Sequence, residues 1–361
     1  MLVDADRKLT HLLKMSIPGN RRLTQHDIAK LAGLSQATVS LVLNDVEGVN
    51  TRIPRETRAR IQKLIQETGY VADPIARSMA KGLNRILGVF TYEPAFPSAH
   101  ADFFTPFLFG IEREAQARNY DLLLLTGTGD ASQRKIFAEG NRLRLADGCL
   151  VLGKVFDHAE LARLVASDYP FVAIGRREDA GGPVPYVGSD YVAATAALVG
   201  KARALGHRRV AYLGATGPAE GTADRWKGFT GALDSDLQLA LHHAVGDMAS
   251  AELLEAVLAS GATVVFCEEL AHAVRLESAA RERGLSFPAD LSVVALGSHI
   301  RAEWSRTRFA SFVIAREEMG SQATAMLVRR LEGAAPVQQI LLPCEPIDGD
   351  TLGLPAKRVT A

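Results

Sequence analysis

The spacing of apolar residues changes near residue 86, and this change constrains the fold more than any other feature. From Thr24 to Tyr70 the apolar residues recur at helical spacing, which predicts a small helical module. From Ile86 onward, short apolar runs without alternation are separated by amphipathic helical stretches, a pattern typical of parallel sheets covered on both faces. There are too many such runs for one small sheet. We therefore predict an all-α head followed by two α/β lobes.

The apolar runs and the stretches between them give the expected elements of the lobes. Strands are predicted at 86–91, 121–126, 149–153, 171–175, 209–214, 263–267, 291–296 and 310–314. The helices expected between and after them are Phe107–Asn119, Ala193–Leu205, Ala249–Ala259, Ala271–Arg283 and Glu317–Leu331.

The formal net charge of zero hides an asymmetry between the two parts of the chain. Residues 1–85 contain 14 Lys/Arg and 8 Asp/Glu, a net charge of +6, which leaves −6 for residues 86–361. A basic head on an acidic body indicates an anionic partner for the head alone.

Cellular location is expected to be cytoplasmic. The 3 cysteines of the 361-residue chain are too few and too scattered for a disulfide framework, which favours a reducing compartment. The first residues do not form a signal peptide, and no apolar stretch has the length of a membrane span.

Residues 24–43 carry the signals of a helix-turn-helix. Thr24 is a good N-cap with Asp27 in the capping-box position, and Gly33 suits the tight turn between two helices, Gln25–Leu31 and Gln36–Leu43. Ser35 is expected to cap the second helix. A short exposed helix of this kind fits the major groove of B-DNA, although generic helical pairs share its apolar spacing.

A third helix is expected over Pro54–Glu67, with proline in the first turn. It carries several basic side chains that either contact phosphate or simply form a solvated face, and the sequence leaves both readings open: Arg55, Arg58, Arg60 and Lys63.

The ordered motifs resemble the LacI/GalR family of bacterial transcriptional repressors. The resemblance is carried by TQHDIAKLAGLSQATVSLVLN, IPRETRARIQKLIQETGYVADPIARSMAKG and ILGVF, and continues more weakly through GIEREAQARNYDLLLL, ALGHRRVAYLG and RWKGFTGAL. It covers essentially the whole chain except the N-terminal tail, residues 1–20.

The resemblance implies a set of DNA-contacting residues. Gln36 and Ala37 would contact base edges, since Gln pairs with adenine and Ala can touch a thymine methyl. The positions implied nearby are Thr24, Ser35, Thr38, Ser40 and Asn44. Several relatives carry Arg where this chain has Leu41, so the operator is expected to differ at that base pair.

Residues 73–85 match the hinge helix and linker of the family. In relatives this helix lies in the minor groove at the dimer axis and wedges an apolar side chain between base steps. The implied residues here are Ala76 and Met79, and Met79 stands where the usual wedge is Leu. An ordinary packed linker helix is the alternative.

The implied domain order is a helix-turn-helix head at 21–72, the hinge at 73–85 and an effector-binding and dimerisation domain at 86–361. The last domain resembles periplasmic sugar-binding proteins, with two parallel-sheet lobes joined by three crossovers. We expect the first lobe to comprise about 86–173 and 315–343, and the second about 174–312 and 344–361.

The same resemblance points to a ligand cleft between the lobes. By position, the implied effector-binding residues are Phe103, Phe104, Phe107, Asp190, Arg225, Glu269 and the loop Gly297–Ser298. Aromatic rings stack on sugar faces and charged groups bind hydroxyls, so a carbohydrate effector is expected. The Phe cluster can also be core, and Arg225 can also form an interlobe ion pair.

Two departures keep the effector's identity open. Relatives often carry Asp at the position of Gly297, and an Asn-Asp pair at Glu268 and Glu269. No known effector is therefore transferred, and a phosphorylated sugar or a protein partner stays open.

No catalytic, cofactor or metal motif stands out. The run TGTGDAS lacks the third glycine of a dinucleotide turn, and the histidines lack metal-ligand spacing. We find no nucleophile with a base and an orienting group, so the chain is not expected to be an enzyme.

We therefore expect a ligand-responsive transcriptional regulator, most simply a repressor, that binds a palindromic operator as a homodimer, with a tetramer left open. Its partners would be double-stranded DNA and a small molecule, and no membrane. The competing hypothesis is a solute-binding protein or enzyme of the same α/β architecture with an accessory helical head.

Overall fold

The structure is a computed structural model that describes residues 23–43, 53–70, 83–93, 103–125, 134–137, 142–167, 169–215, 217–297, 307–333 and 336–356. Contacts divide the chain into an N-terminal unit, Met1–Asn84, and a C-terminal unit, Arg85–Ala361.

Three helices make up the described part of the N-terminal unit: α1 (Gln25–Ala32), α2 (Gln36–Leu43) and α3 (Arg55–Thr68). Each agrees with its predicted helix to within one residue at either end. Apolar side chains from all three helices form one small core, because each helix buries a single apolar stripe. The core contains Ile28, Ala29, Ala32, Val39, Ile61, Leu64 and Tyr70.

The first lobe of the C-terminal unit contains a six-stranded parallel sheet. Its strands are β1 (Ile86–Thr91), β2 (Asp121–Leu125), β3 (Gly148–Leu152), β4 (Phe171–Ile174), β5 (Tyr186–Ser189) and β11 (Gln339–Leu342), in the order β11-β5-β4-β3-β1-β2. The helices of this lobe are α4 (Thr105–Ala117), α5 (His158–Ala166) and α10 (Arg316–Leu331).

The second lobe contains a four-stranded parallel sheet in the order β7-β6-β8-β9. Its strands are β6 (Arg209–Leu213), β7 (Gln238–His243), β8 (Val264–Cys267) and β9 (Ser292–Ala295). Its helices are α6 (Tyr191–Ala204), α7 (Glu220–Gly231), α8 (Ser250–Ala259) and α9 (Leu270–Glu282). Two short strands, β10 (Ser311–Val313) and β12 (Glu345–Ile347), form a separate antiparallel pair.

One expected lobe boundary is wrong. The sequence predicts that the first segment of the first lobe ends near residue 173, but β5 pairs in parallel with both β4 and β11. The segment therefore continues to Ser189. The strand YVGS escaped notice because its four residues, although buried, include Gly188 and Ser189 and form no apolar run.

In the described part of the chain, the backbone passes between the lobes three times: from β5 to α6, from β10 to α10 and from β11 to β12. Two of these crossovers touch, since the backbone N–H of Asp190 donates to the carbonyl of Leu342 at 2.9 Å. Neither lobe is therefore built from one continuous stretch of chain. Among the described residues, no helix is long and apolar enough to cross a bilayer.

Candidate nucleic-acid interface and interlobe cleft

The turn between α1 and α2 depends on Gly33. Its φ of 62° lies in the left-handed region, which costs a residue with a side chain about 1–2 kcal/mol. The N–H of Gly33 donates to the carbonyl of Lys30, and that of Leu34 donates to the carbonyl of Ala29. The predicted role of Gly33 is confirmed.

A reciprocal capping box begins α1. The N–H of Asp27 donates to Thr24 Oγ1 at 3.3 Å, and the N–H of Thr24 donates to Asp27 Oδ2 at 2.8 Å. The hydroxyl of Thr24 also donates to Asp27 Oδ2 at 2.6 Å. Two backbone donors at the start of α1 are thereby satisfied, as the sequence predicted.

Ser35 caps α2 with its side chain. The N–H of Thr38 donates to Ser35 Oγ at 3.1 Å, and the two hydroxyl groups are 2.8 Å apart. Val39 is fully buried, whereas Gln36 and Ala37 are exposed in the first turn. The caps thus fix the start of α2 while its first side chains remain available to an outside partner.

Of the remaining predicted DNA-contacting residues, three are half-buried and three lie outside the described residues. Thr38, Ser40 and Leu41 are half-buried on α2. Asn44, Ala76 and Met79, with the hinge segment from 73 to 82, lie outside the described residues.

The basic face of α3 is largely solvated. Arg55, Arg60 and Lys63 are exposed, and Lys63 forms an i,i+4 ion pair with Glu67 at 3.5 Å.

A cleft of about 670 Å³ lies between the two lobes of the C-terminal unit. This volume falls in the usual range for small-molecule sites. The first turns of α4, α7, α9 and α10 line it, together with the loops that follow β3, β4 and β9. It combines aromatic rings with several charged side chains.

The predicted Phe cluster lines this cleft and is also packed in the core. The ring of Phe103 lies 5.2 Å from that of Phe104 and 5.5 Å from that of Phe107, measured between centroids. Phe104 and Phe107 are buried, whereas Phe103 is partly exposed. The Phe cluster therefore belongs both to the core and to the wall of the cleft.

Arg225 reaches the cleft from α7. Its Nε donates to the carbonyl of Leu296 at 2.7 Å and its Nη1 to the carbonyl of Gly221 at 2.8 Å. The guanidinium lies 3.8 Å from the centroid of the Tyr191 ring, a cation–π contact. Its neighbours Glu220 and Asp224 on α7, rather than Arg225, form ion pairs with the first lobe.

Two consecutive arginines of the first lobe bind one face of α7. Arg176 Nε lies 2.6 Å from Asp224 Oδ2, and Arg177 Nη1 lies 3.0 Å from Glu220 Oε2. The two carboxylates are four residues apart and therefore share one side of the helix. Arg177 also donates to the carbonyl of Gly153 at 2.5 Å. These contacts join the lobes beside the cleft.

A third ion pair crosses the cleft near its rim. Lys154 Nζ of the first lobe lies 3.8 Å from Glu269 Oε1, and both side chains are more than half exposed. Its neighbour Glu268 accepts hydrogen bonds from the Thr222 hydroxyl and from the N–H of Ala215 at 2.9 Å. Glu269 and Gly297 thus line the cleft as predicted.

Asp190 does not line the cleft, contrary to its predicted role. Its carboxylate accepts from the N–H of Ala193 at 2.9 Å and caps α6 at the first crossover. Ser298 lies outside the described residues.

Sequence reasoning missed Arg176, Arg177 and Arg316. Arg316 is the first residue of α10, one position before the predicted start of that helix, and its side chain is buried in the cleft wall. For Arg316 the only available signal was a charged residue two positions after the apolar run 310–314.

Comparison with known proteins identifies the family. Residues 24–73 match the lacI family of bacterial regulatory proteins, and residues 199–352 match a periplasmic binding protein-like domain. The transcriptional regulator AglR of Rhizobium meliloti is 30% identical over 282 residues, covering 74% of this chain and 76% of AglR. The transcriptional repressor MelR of Bacillus subtilis is 26% identical over 352 residues, covering 92% of this chain and 98% of MelR.

Solved structures share the fold. The lac repressor dimer bound to operator and the anti-inducer ONPF has a TM-score of 0.74 at 19% identity, covering 92% of this chain and all of that one. The regulator CelR in complex with cellobiose has a TM-score of 0.62 at 20% identity, covering 91% of this chain and all of CelR.

These matches confirm the helix-turn-helix head, the bilobed fold and the expectation that the chain is not an enzyme. Among the described residues, no cluster of His, Cys, Asp and Glu could hold a metal ion. The chain belongs to the LacI family of DNA-binding bacterial transcriptional regulators.

Proposed function

We propose that the protein is a homodimeric repressor that binds a palindromic operator through α2 and responds to a carbohydrate bound in the interlobe cleft. The observation that carries the DNA-binding half is the start of α2: Ser35 and Gly33 fix it, while Gln36 and Ala37 are exposed. The first turn of α2 carries no acidic residue, so nothing there repels phosphate.

Base reading would begin at Gln36 and Ala37. Gln36 can bind adenine with two hydrogen bonds, and Ala37 can contact a thymine methyl group. The sugar-phosphate backbone of the DNA would be contacted by Thr24, Ser35, Thr38, Ser40 and Asn44. Leu41 offers only an apolar contact, which favours a thymine at its base pair.

A dimer follows from the small size of this surface. One eight-residue helix reads too few base pairs to select an operator, whereas two-fold symmetry doubles the contacts on a palindromic site. The hinge at 73–85, with Ala76 and Met79, would bind the minor groove at the dimer axis and insert an apolar wedge.

The effector half rests on the cleft. Its volume of about 670 Å³ suits a mono- or disaccharide, and its Phe and Arg side chains offer stacking faces and hydrogen bonds. CelR, which shares the fold, is known in complex with cellobiose. The ribose operon repressor of Haemophilus influenzae is 26% identical over 330 residues, covering 86% of this chain and 92% of that repressor.

Regulation would be a population shift between two lobe arrangements. The ion pairs from Arg176 and Arg177 to α7 hold the lobes together on one side of the cleft. A ligand that favours one arrangement changes the lobe angle, and β1 follows the hinge segment directly in the chain. A change at the lobes of a dimer thereby alters the spacing of its hinges. The protein would act in the bacterial cytoplasm, at the nucleoid when bound to its operator.

Site selection from random duplexes tests the DNA-binding half. We expect a palindrome to be enriched, and Gln36→Ala to relax selection at one base pair of each half-site by about 1–3 kcal/mol. Gln66→Ala is the matched control, since Gln66 is an exposed glutamine on α3. If no palindrome is enriched and affinity follows salt concentration alone, the operator proposal fails.

A sugar panel tests the effector half on the selected operator. We expect at least one sugar to change operator affinity, and Phe103→Ala to weaken that response while leaving affinity without the sugar unchanged. If sugars bind the cleft but none alters operator affinity, the proposed regulation is contradicted.

A further inference from the structure

The charges that line the cleft do not balance. Six basic side chains face three acidic ones, Asp224, Glu268 and Glu269. The basic residues are Lys154, Arg176, Arg177, Arg225, Arg275 and Arg316. A cleft built for neutral sugars alone has no need of this excess, because unpaired charges are costly to remove from water.

Ion pairs within the protein neutralise only some of these six basic side chains. Arg176 pairs with Asp224, Arg177 pairs with Glu220, and Lys154 pairs with Glu269. Arg275 donates to the carbonyl of Met248, and Glu268 accepts from neutral donors. Arg225 and Arg316 are left with no carboxylate partner among the residues that the structure describes.

Arg316 is the more unusual of these two residues. It is 6% exposed, and its Nε has no hydrogen-bond partner in the described part of the chain. Its guanidinium lies 5.4 Å from the centroid of the Phe103 ring, on the cleft wall. Burial lowers the pKa of Arg316, and the positive charge of Arg225 lowers it further, although Tyr191 opposes this effect. A buried guanidinium without an acceptor lacks the anion that normally compensates it.

Helix N-termini add to the positive potential. The helices α7, α9 and α10 begin at the cleft, and their N-caps Ala219, Glu269 and Ala315 make no side-chain capping hydrogen bond. By contrast, Asp157 and Asp190 cap α5 and α6, and neither lines the cleft. Free N–H groups at helix starts favour an anionic ligand group.

We propose that the effector carries an anionic group, the carboxylate of a sugar acid or the phosphate of a sugar phosphate, bound between Arg316 and Arg225. The inference rests on the proposed effector role of the cleft. Two guanidinium groups supply the paired donors that such groups accept, and Phe103 and Tyr191 lie beside them for the sugar ring.

Gly297 offers a way to test the charge without removing an arginine. A Cβ at Gly297 would meet nothing closer than Arg225 Nη2 at 4.0 Å. Gly297→Asp would therefore place a carboxylate beside Arg225 and supply the missing negative charge from the protein itself. Because the space is open, this variant is expected to fold.

The experiment compares the wild type with Arg316→Met, Arg316→Lys and Gly297→Asp. Arg330→Met is the matched control, because Arg330 lies on the same helix, also has an unpartnered Nε, and is outside the cleft. Titration calorimetry uses glucuronate, glucose 6-phosphate and glucose. Thermal unfolding is followed in phosphate, sulfate or chloride at matched ionic strength.

We expect phosphate or sulfate to raise the Tm of the wild type and of Arg330→Met more than chloride does, and this difference to vanish in Arg316→Met and Gly297→Asp. Any anionic sugar that binds should lose about ten-fold or more in affinity in those two variants, and less in Arg316→Lys. Glucuronate binding identifies the carboxylate class, and glucose 6-phosphate binding identifies the phosphate class. Equal responses of all variants to every anion, or binding of glucose alone, overturn the proposal.

Measurements of operator affinity distinguish a failure of the proposed anion site from a failure of the proposed regulation by an effector. If anions bind through the two arginines but no ligand alters operator affinity, the regulatory role fails and the anion site stands. If a neutral sugar alone binds the cleft and alters operator affinity, the anion site fails and the regulatory role stands.

Discussion

Arg177 of the first lobe and Glu220 of the second lobe form an ion pair in which both side chains are largely buried, with 4% and 15% of their surfaces exposed. Arg177 also stacks over the ring of Phe156 at 3.7 Å from its centroid. The pair therefore joins a loop of one sheet to a helix of the other at a place that water hardly reaches.

Removing one partner of this pair should be costly. We expect Glu220→Gln to destabilise the C-terminal unit by about 3 kcal/mol, because the buried guanidinium of Arg177 loses its counter-charge. Urea unfolding of the full chain measures the difference. Glu255→Gln is the control, since its ion pair with Arg283 is about half exposed, and it should change stability by less than about 1 kcal/mol. Equal effects of the two substitutions would contradict the role assigned to burial.

Substitution of glycine by alanine should have opposite effects on stability in two of the helices. A Cβ at Gly320 of α10 would lie 2.2 Å from the carbonyl oxygen of Phe107 on α4, whereas a Cβ at Gly200 of α6 meets nothing within 4 Å. We expect Gly320→Ala to destabilise by about 1–3 kcal/mol through overpacking, and Gly200→Ala to stabilise by about 0.5–1 kcal/mol through helix propensity. Stabilisation by both alanines in thermal unfolding would show that α4 and α10 do not approach so closely.

Acid should destabilise the C-terminal unit through His207. This side chain is buried between the Thr263 hydroxyl at 2.8 Å and the Gly353 carbonyl at 2.9 Å, and burial lowers its pKa below the ordinary 6.5, although the hydrogen bond to Gly353 opposes the shift. The unfolded chain therefore binds the proton more readily. Stability from this group is fully present above about pH 6.5 and falls as the pH drops toward the lower pKa of the folded state.

Thermal unfolding at pH 7.5 and pH 5.5 measures this loss. Burial also lowers the pKa of His272, so His207→Gln should reduce the Tm difference between the two pH values without abolishing it. His158→Asn changes an exposed histidine and should leave the difference as in the wild type. If His207→Gln shows the same Tm difference between the two pH values as the wild type, His207 is not a source of the acid sensitivity.

The turn before α2 should tolerate asparagine better than alanine at Gly33. A side chain at this position meets no neighbouring atom, so the positive φ alone decides its cost. We expect Gly33→Ala to destabilise the N-terminal unit by about 1 kcal/mol and to weaken operator binding, and Gly33→Asn to do so less. Circular dichroism melting and operator titration provide the two measurements, and indistinguishable variants would contradict the argument.

The sequence predicted the buried elements well because burial leaves a continuous apolar signal. All eight predicted strands are present. Of the strands that were not predicted, β7 and β11 are sheet edges with partly exposed, mixed residues, so no apolar run marks them. The helices α5 and α7 were not among the predicted ones, and α7 contains Gly221, Gly228 and Gly231, which weaken helix propensity. Gly228 is required there, since a Cβ would lie 2.3 Å from the carbonyl oxygen of Val192.

The cleft was predicted only in part, for a different reason. Phe103, Arg225 and Glu269 could be placed because they stand at recognisable positions in family motifs. The pairing of Arg176 with Asp224 joins residues 48 apart in sequence, and nothing local reveals it. Asp190 was misassigned because a capping aspartate and a ligand-binding aspartate look alike in sequence, and only the N–H of Ala193 distinguishes them.

The interleaved lobes have a consequence for biosynthesis. The helices α1 to α3 are contiguous in the chain and can fold as soon as they leave the ribosome. The first sheet lacks its edge strand until β11 emerges, and the second lobe waits for Thr351, which binds the carbonyl of Val293 and the N–H of Ala310. A chain halted before these residues would carry a finished DNA-reading module and an unfinished sensor. Translational arrest near the end of the chain would thus leave a folded DNA-reading module without a finished sensor.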